Sequence, residues 1–297
     1  MVVTGNWPDI INPAMTKIYD QVFKDFKEEF SQVFDIGSSS QNYEKFSTAT
    51  GFGMAQDVGE GQEIPTDDPE QGFDLTFTHK KIGKAFIVSK ETLEDDLFQI
   101  IKAKPKALAR GIRQKIEYDC ADIFNNASAT TNNTGADGKA LSATDHPRED
   151  GGASQSNEGT AALTEKALAD ITIAGAGILD GKGQKINISY DLLVVPINLE
   201  DTARIIMKSS NRVGGDLNDI NPLMNRFDIF TYHWLTDTNN YFCIDRSIDS
   251  GLKYLWRRRP TLERDDQVSN DVARWYTTAR YSYGWIDWRF FYGGIVA

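Results

Sequence analysis

Residues that could bind a metal or act as a nucleophile are few and widely separated in this chain of 297 residues. The three histidines are His79, His146 and His233, and no two of them stand at the spacing of a zinc site. Neither Cys120 nor Cys243 has a second cysteine at CxxC spacing or a histidine close in sequence. A glycosidase needs two carboxylates at a defined distance, and among 43 acidic residues neighbouring pairs carry no information. We predict no catalytic residue, no metal and no cofactor.

Three segments imitate ligand-binding motifs, and each is better explained as structure. Residues 175–183 are rich in glycine, but they depart from GxxxxGK[ST] and follow a helical pattern, whose terminal carbonyls repel phosphate. The basic run Arg257, Arg258 and Arg259 lies in a strand pattern, so its side chains alternate between two faces, which favours solvated or ion-paired arginines. His146 stands in a polar stretch and is predicted to be a solvated loop residue.

The composition is that of an acidic globular protein. Its 43 acidic residues exceed the 32 Lys and Arg, which gives a formal net charge of −11, while 40% of the residues are hydrophobic. Such a chain repels nucleic acid unless a basic patch is segregated. No apolar run approaches the roughly 18–20 residues of a membrane span, and we recognise no signal peptide, so we predict no membrane partner. Both cysteines are predicted to be buried in a reducing compartment.

The first regular element is predicted to be an amphipathic helix that begins at Pro13 and ends near Gly37. Its apolar residues recur at steps of three and four and therefore share one face. They are Met15, Ile18, Val22, Phe26, Phe30 and Val33. A lone amphipathic helix must dock on something, and we predict that Phe26 and Phe30 form the centre of its contact.

A long β-hairpin arm is predicted next, over residues 51–90. Phe73, Leu75 and Phe77 alternate with polar residues, which is the period of a strand. The tip, residues 59–72, is polar and turn-rich, with too few apolar residues to bury it within one subunit. We therefore expect the arm to project and a neighbouring subunit to cover its three apolar side chains.

From Ser89 the spacing is helical again for about 35 residues, or about 50 Å of helix. The apolar stripe comprises Leu93, Leu97, Ile101, Leu108, Ile112, Ile116, Cys120 and Ile123. Pro105 is expected to kink or split this helix. Residues 125–161 are of low complexity and predict a surface loop or partial disorder. A third helix from Thr164 and a buried strand at 192–195 follow.

The last segment is rich in aromatic residues and is predicted to form strands. Around residues 281–290 the aromatics fall on both faces of a strand. Tyr281, Tyr283 and Trp285 would share one side, and Ile286, Trp288 and Phe290 the other. A strand covered on both faces favours core or subunit contact over an open sugar-binding surface. We predict that Trp285 and Trp288 take part in subunit contacts.

Taken together, these segments resemble the major capsid proteins of tailed phages, which have the Hong Kong 97 fold, and among them the Mu-type head subunits. Residues 81–96 (KIGKAFIVSKETLEDD) are similar to the return arm of the family's extended loop, running into its spine helix. Residues 192–203 (LLVVPINLEDTA) are similar to the strand–Pro–helix of its axial domain. Residues 251–256 (GLKYLW) with 280–294 (RYSYGWIDWRFFYGG) are similar to its closing sheet. Their order along the chain is the specific signal.

The resemblance implies an α+β capsid fold in five consecutive parts. These are an N-terminal arm (1–50), an extended β-hairpin loop (51–88), a peripheral domain with a long spine helix (89–160), an axial domain (161–250) and closing strands of the peripheral domain (251–297). It also implies a function without catalysis. The subunit would self-assemble into pentamers and hexamers of an icosahedral shell, which encloses double-stranded DNA without sequence-specific binding. It would be made in the host cytoplasm and reside in the virion.

The resemblance also implies partners. About 50 residues precede the loop, too few for a fused scaffolding segment, so a separate scaffolding protein is expected, with a portal and decoration proteins. Some family members crosslink by a Lys–Asn bond. Lys80, Lys81 and Lys84 lie near the loop, but no asparagine can be matched to them, and no crosslink is expected.

Three alternatives stay open at this point. An encapsulin-like cargo shell shares the fold, and the Mu-type C-terminal pattern favours a phage head over it. A carbohydrate-binding or glycoside-active protein would use the acidic and Trp residues, and it predicts a monomer or small oligomer with a sugar cleft. A tail or decoration protein of the same particle is the third.

Overall fold

The fold is of the mixed α+β class, with helices and strands interspersed along the chain. The computed structural model describes residues 8–69, 71–89, 91–92, 98–130, 134–212, 219–248, 251–267 and 272–296. The helices are α1 (Pro8–Asp25), α2 (Phe98–Asn125), α3 (Glu165–Gly177) and α4 (Glu200–Lys208), with 3-10 turns at Phe30–Gln32 and Ile197–Leu199. The strands are β1 (Asp35–Ser38), β2 (Tyr43–Ala49), β3 (Gln71–Thr78), β4 (Lys80–Ser89), β5 (Glu158–Gly159), β6 (Leu192–Val195), β7 (Asp228–Thr231), β8 (Tyr241–Ile244), β9 (Leu252–Gln267), β10 (Val272–Trp285) and β11 (Phe291–Gly294).

Distant parts of the sequence meet in a four-stranded sheet of order β1-β9-β10-β4. The long strands β9 and β10 are antiparallel, and β10 also pairs antiparallel with β4, from Val272↔Ser89 to Tyr281↔Lys80. β1 joins the other edge in parallel with β9. Along β10, buried residues alternate with more exposed ones. The sheet therefore has one covered face and one open face.

Helices α1 and α2 lie over the covered face. Trp275 on β10 is 1% exposed, and its ring stacks on Phe86 of β4 with centroids 5.5 Å apart. Tyr19 of α1 is fully buried, and its hydroxyl lies 3.0 Å from the hydroxyl of Thr277. Leu108 of α2 belongs to the same apolar cluster. This cluster attaches the N-terminal helix to the sheet.

A second sheet has five strands in the order β5-β11-β8-β6-β7. All four residues of β6 are buried, which agrees with the buried strand predicted at 192–195. Leu168 of α3 and Ile206 of α4 pack with Leu193 in one apolar cluster. A separate cluster joins the two sheets, with Phe124 at the end of α2 among its buried members. The two sheets thus share one continuous interior with α2.

The N-terminal helix ends earlier than the sequence predicts. A continuous helix was expected to end near Gly37, but α1 ends at Asp25, a 3-10 turn follows, and Gly37 lies in β1. The cause is a long-range interaction. The carboxylate of Glu117 on α2 accepts hydrogen bonds from the backbone N–H groups of Glu29 and Phe30, at 2.9 and 3.1 Å. These bonds replace the i→i−4 bonds of a helix.

The predicted arm is built from different strands. β2 and β3 form a separate two-stranded ribbon, and residues 50–69, which connect them, contain no strand. β4 was expected on the return side of the arm, but it belongs to the four-stranded sheet. Val88 and Phe86 explain the difference, because they pack with Trp275 in the cluster beneath α1.

Helix α2 continues through Pro105, where a kink or a split was expected. The predicted start at Ser89 is followed by helical residues at 91–92, and Leu93 and Leu97 of the stripe lie outside the described residues. The later members of the stripe are all buried. They are Leu108, Ile112, Ile116, Cys120 and Ile123.

His146 is buried, and its prediction as a solvated loop residue is wrong. Its Nδ1 lies 2.6 Å from Asp137 Oδ2, and its Nε2 lies 3.1 Å from Asn157 Oδ1. The imidazole stacks on Trp288 with ring centroids 4.1 Å apart. These contacts hold the polar stretch at 134–161 against the second sheet, so it is an ordered connection where it is described.

Both cysteines are buried and unbonded to each other. Burial raises the pKa of each thiol, at Cys120 and at Cys243. Among the residues that the structure describes, no helix has the length and apolar character to cross a membrane.

Candidate assembly surface

The β2–β3 ribbon packs on its own subunit through one face. Phe77 is 6% exposed and lies against β10, and its ring is 5.2 Å from that of Phe46 on the partner strand. Phe73 and Leu75, on the same side of β3, are half-buried. Phe77 is therefore covered by its own subunit, whereas we expected a neighbour to cover it. For Phe73 and Leu75 that expectation stays a prediction.

A narrow cleft fixes the far end of the ribbon. Thr48 and Phe73 line it from the ribbon, and Trp285 and Trp288 line it from the sheet side. The hydroxyl of Thr48 donates a hydrogen bond to the Glu149 carboxylate at 2.9 Å. The ribbon thus contacts its own subunit at both ends.

The connection begins and ends at a polar anchor. Lys182 Nζ lies 3.1 Å from Asp67 Oδ1, and the same carboxylate accepts a hydrogen bond from the backbone N–H of Gly53. These donors hold the pKa of Asp67 below its usual range. Gln184 Nε2 donates to the carbonyl of Phe52 at 3.1 Å. The anchor closes residues 53–67 into a loop attached to the turn at residues 182–184, between α3 and β6.

All of the described residues 51–69, which we call the acidic loop, are exposed. Four large apolar side chains lie in it. The exposed fractions are 65% for Phe52, 76% for Met54, 42% for Val58 and 74% for Ile64. Exposed apolar side chains gathered in one segment make it a candidate contact surface. Sequence reasoning missed these residues, although apolar side chains within a Gly-rich polar stretch were a usable signal.

The acidic loop also carries charge of one sign. It contains no Lys, Arg or His, and its acidic residues are Asp57, Glu60, Glu63, Asp67 and Asp68. Of these, only Asp67 has an ion pair with another described residue. The loop is therefore an apolar and anionic surface with few contacts to its own subunit.

A second candidate surface lies beside α4. Asn221 holds the following turn to the helix, because its amide Nδ2 donates to the Ile206 carbonyl at 2.6 Å. Several apolar side chains are exposed on this part of the chain. The exposed fractions are 57% for Ile197, 51% for Ile205, 83% for Ile220 and 48% for Met224. No pattern in the sequence indicated this set.

The N-terminal segment is clamped to α2 by a buried charged group. Arg113 Nε donates to the Phe23 carbonyl at 2.9 Å, and its guanidinium lies over the Phe23 ring at 3.6 Å from the centroid. Arg113 also forms an ion pair with Glu28. Burial lowers the pKa of Arg113, and the adjacent carboxylates oppose that shift. The clamp fixes the direction in which the chain leaves α1.

Glu117 completes the clamp one turn further along α2. It is fully buried, and besides two backbone N–H groups it accepts a hydrogen bond from the Tyr232 hydroxyl at 3.3 Å. Burial raises the pKa of Glu117, although these donors oppose the shift. Glu29 in turn lies 2.8 Å from His233 Nδ1. The three elements that meet here are the N-terminal segment, α2 and the residues after β7.

The seven residues predicted to make subunit contacts fall into two groups. Four are 1–6% exposed and are covered by the subunit's own interior, which accounts for their apolar character and leaves them almost no surface for a neighbour. These are Phe30, Phe77, Trp285 and Trp288. The other three are half-buried, and for them a role between subunits stays a prediction. They are Phe26, Phe73 and Leu75.

Chemistry-bearing residues remain scattered in three dimensions. Within the described ranges, no group of three or more His, Cys, Asp or Glu side chains is arranged to hold a metal ion. The closest pairing is that of His146 with Asp137, and both side chains are buried against Trp288.

Comparison with known proteins gives a consistent result. Residues 73–293 match the model of a family described as phage capsid protein. No curated protein sequence matches the chain. Among solved structures, the procapsid of bacteriophage JBD30 is similar at 13% identity, with 99% of this chain and 77% of that chain covered and a TM-score of 0.56. The capsid of the native GTA particle has 14% identity, coverage of 89% and 88%, and a TM-score of 0.56. Gordonia phage Cozz has 12% identity, coverage of 90% and 86%, and a TM-score of 0.54.

Proposed function

This chain belongs to the phage capsid protein family, and on that premise we propose that its acidic loop joins neighbouring subunits into the pentamers and hexamers of a closed icosahedral shell. The protein is a major capsid protein, a structural subunit of the head of a tailed phage, and its fold is of the Hong Kong 97 type. The fold class and the family predicted from the sequence are confirmed.

One observation carries the proposal. The acidic loop exposes four large apolar side chains at fractions of 42–76%, yet its base is fixed to the subunit at Asp67 and Lys182. Full burial of a large apolar side chain stabilises a protein by roughly 1.5–3 kcal/mol, and the exposed side chains of the loop lack this stabilisation. A neighbouring subunit that covered them would recover that free energy, and the fixed base would direct the loop toward it.

The domain division belongs to the same proposal. The N-terminal arm (1–50) would lie on α2, the acidic loop would extend between subunits, and the peripheral domain would combine α2 with the four-stranded sheet. The five-stranded sheet with α3 and α4 would form the axial domain at residues 161–250. Its exposed Ile205 and Met224 would then face the centre of a pentamer or hexamer.

The finer parts of the function follow from the family. The shell would enclose double-stranded DNA without sequence-specific contacts, and the subunit would have no catalytic turnover. It would be made in the host cytoplasm and assemble with a separate scaffolding protein, a portal and decoration proteins. The net charge of −11 supports weak contact with DNA, because like charges repel.

Microscopy of the purified protein tests the proposal. We expect negative-stain images to contain rings of five or six subunits, or closed shells, and sedimentation velocity to show species far larger than the 33.3 kDa subunit. A protein that stayed monomeric from micromolar to millimolar concentration, with and without crowding agents, would contradict it.

A further inference from the structure

The open face of the four-stranded sheet carries three cations side by side. Arg280 on β10 is paired in register with Lys81 on β4 and with Arg258 on β9. Lys81 and Arg258 are exposed, and Arg280 is half-buried. Like charges directly opposite each other on neighbouring strands destabilise a sheet. We call these three residues the cation row.

The cation row lacks an acidic partner. Arg258 donates to the Thr278 hydroxyl, and Arg280 Nη2 donates to Asn42 Oδ1 at 3.3 Å, and both acceptors are neutral. None of the three cations has an ion pair with any acidic side chain in the part of the chain that the structure describes. The row thus offers three unpaired positive charges on one face of a protein that is acidic as a whole.

Neighbouring side chains strengthen the positive field. Arg259 is exposed, and its guanidinium lies 5.6 Å from the centre of the Trp256 ring. His79 is 7% exposed, and its pKa is lowered by burial and then by Arg280, with a smaller effect of Arg257. Acidic side chains also lie nearby. Glu44 opposes the lowering of the His79 pKa and accepts a hydrogen bond from Ser39. Glu263 and Asp265 of β9 act on Tyr276, as Arg258 does. Of the basic run 257–259, which the sequence suggested to be solvated or ion-paired, Arg258 lies in the cation row, Arg259 is exposed and Arg257 is half-buried.

The complementary charge lies on the acidic loop, at the other end of the ribbon. The ribbon end formed by Tyr43 and Thr78 adjoins the cation row, because Asn42 bonds Arg280 there. The acidic loop leaves the opposite end, after Ala49. Six residues of strand separate the two ends by about 20 Å. The base of the loop is fixed away from the row by Asp67 and Lys182, and no loop carboxylate pairs with the row in the described structure.

We propose that the cation row of one subunit binds the acidic loop of a second copy of this chain. The proposal rests on the proposed function and adds the position at which the loop docks. It pairs four loop carboxylates with three cations, because Asp67 is already bonded to Lys182, and the described structure shows no ion pair for Asp57, Glu60, Glu63 or Asp68. Opposite charges that meet across an interface steer association and select the correct partner. The apolar side chains of the loop would then pack beside the row on the sheet.

Charge reversal tests this pairing. The row variant is Lys81→Glu/Arg258→Glu/Arg280→Glu, and the loop variant is Glu60→Lys/Glu63→Lys/Asp68→Lys. We expect each to fold, as judged by circular dichroism and melting temperature, and to lose at least tenfold in the assembled fraction measured by sedimentation velocity. The double variant, with row and loop both reversed, should recover assembly to within about threefold of the natural chain, because the pair is restored with opposite signs.

A matched control separates the pairing from net charge. Lys27→Glu/Lys185→Glu/Arg226→Glu reverses three exposed cations that lie outside the sheet. Combined with the loop variant, it gives the same net charge as the double variant, and we expect no recovery of assembly. Recovery by this combination would overturn the proposal, and so would loss of assembly in the control alone as large as that of the row variant.

Other outcomes are also decisive. If the natural chain assembles and the row variant assembles equally well, the docking site is wrong while the proposed function stands. If the natural chain does not assemble, the proposed function fails. A gel shift at low salt examines duplex DNA as the occupant. Salt-sensitive DNA binding that the row variant abolishes, with assembly unchanged, would assign the row to nucleic acid and refute the loop pairing.

Discussion

Phe77 occupies the space that a side chain at Gly284 would need. A Cβ atom at Gly284 would lie 2.7 Å from Cε1 of the Phe77 ring, closer than carbon atoms approach in folded proteins. This contact seats the β2–β3 ribbon on the end of β10. Because the acidic loop connects the two strands of this ribbon, its position depends on the absence of a side chain at Gly284.

Replacing Gly284 by Ala should therefore loosen the ribbon. The added methyl group must displace the Phe77 ring, and overpacking of this kind costs about 1–3 kcal/mol. We expect that loss in urea unfolding, with faster proteolysis at residues 43–78. Gly177→Ala is the control, since nothing lies within 4 Å of its Cβ position, and it should change stability by less than about 0.5 kcal/mol. Equal effects of the two variants would disprove the contact.

Removing the acidic loop should leave a folded subunit that does not assemble. Replacement of residues 54–66 by a short Gly-Ser turn keeps the anchor between Gly53 and Asp67. We expect an unchanged melting temperature and no large species in sedimentation. A second variant, with Met54, Val58 and Ile64 changed to Ser, keeps the acidic residues and separates apolar from ionic contributions. Normal shells from the loop-replacement variant would show that the loop is dispensable.

Glu117→Ala should release the N-terminal segment. The change leaves the backbone N–H groups of Glu29 and Phe30 without acceptors, and buried unpaired donors cost about 1–3 kcal/mol each. We expect a loss of about 2–5 kcal/mol in unfolding free energy and new proteolysis near residues 26–34. Lys166→Ala, which removes the exposed i,i+4 ion pair with Asp170 on α3, should cost less than about 1 kcal/mol. An intact N-terminal segment in the Glu117 variant would exclude the clamp.

The ribbon should weaken in strong acid. Hydrogen bonds from Lys45, Ser47 and Gln71 lower the pKa of Asp74 to about 2. Because the folded pKa lies below that of the unfolded chain, the stabilisation is present above pH 4 and is lost as the pH falls through about 2. Carboxyl-carbon NMR should show Asp74 titrating near pH 2, and Lys45→Met should move the midpoint upward. A midpoint near 4 in the natural chain would contradict these contacts.

The spacing of apolar residues predicted several helices and strands, because this spacing depends only on neighbouring residues in the chain. The alternation of Phe73, Leu75 and Phe77 located β3, and the stripe from Leu108 to Ile123 located α2. The surface that covers Phe77 could not be predicted, since it belongs to a strand more than two hundred residues later. The helix predicted to reach Gly37 failed for the same reason: the backbone after α1 bonds to Glu117, which no local rule reveals.

The candidate site was predicted less well than the fold. Apolar character was used to choose contact residues, and in a chain of this size most large apolar side chains fill the interior. Trp285 and Trp288 are examples, at 3% and 5% exposed. Phe52 and Ile64 were passed over because they stand in a polar, turn-rich stretch. His146 shows the converse, because a polar composition does not reveal that Asp137 and Asn157 will bury it.

The strand order of the four-stranded sheet also determines how late in translation the sheet can form. β1 has β9 as its neighbour and β4 has β10, and both partners are encoded far downstream. At about 5–20 residues per second, β4 waits on the order of 10–40 seconds for β10 to be synthesised. Until then the surface beneath Phe77 does not exist, and the β2–β3 ribbon lacks its seat on β10. A nascent chain is therefore unable to join a growing shell before its own translation is nearly complete.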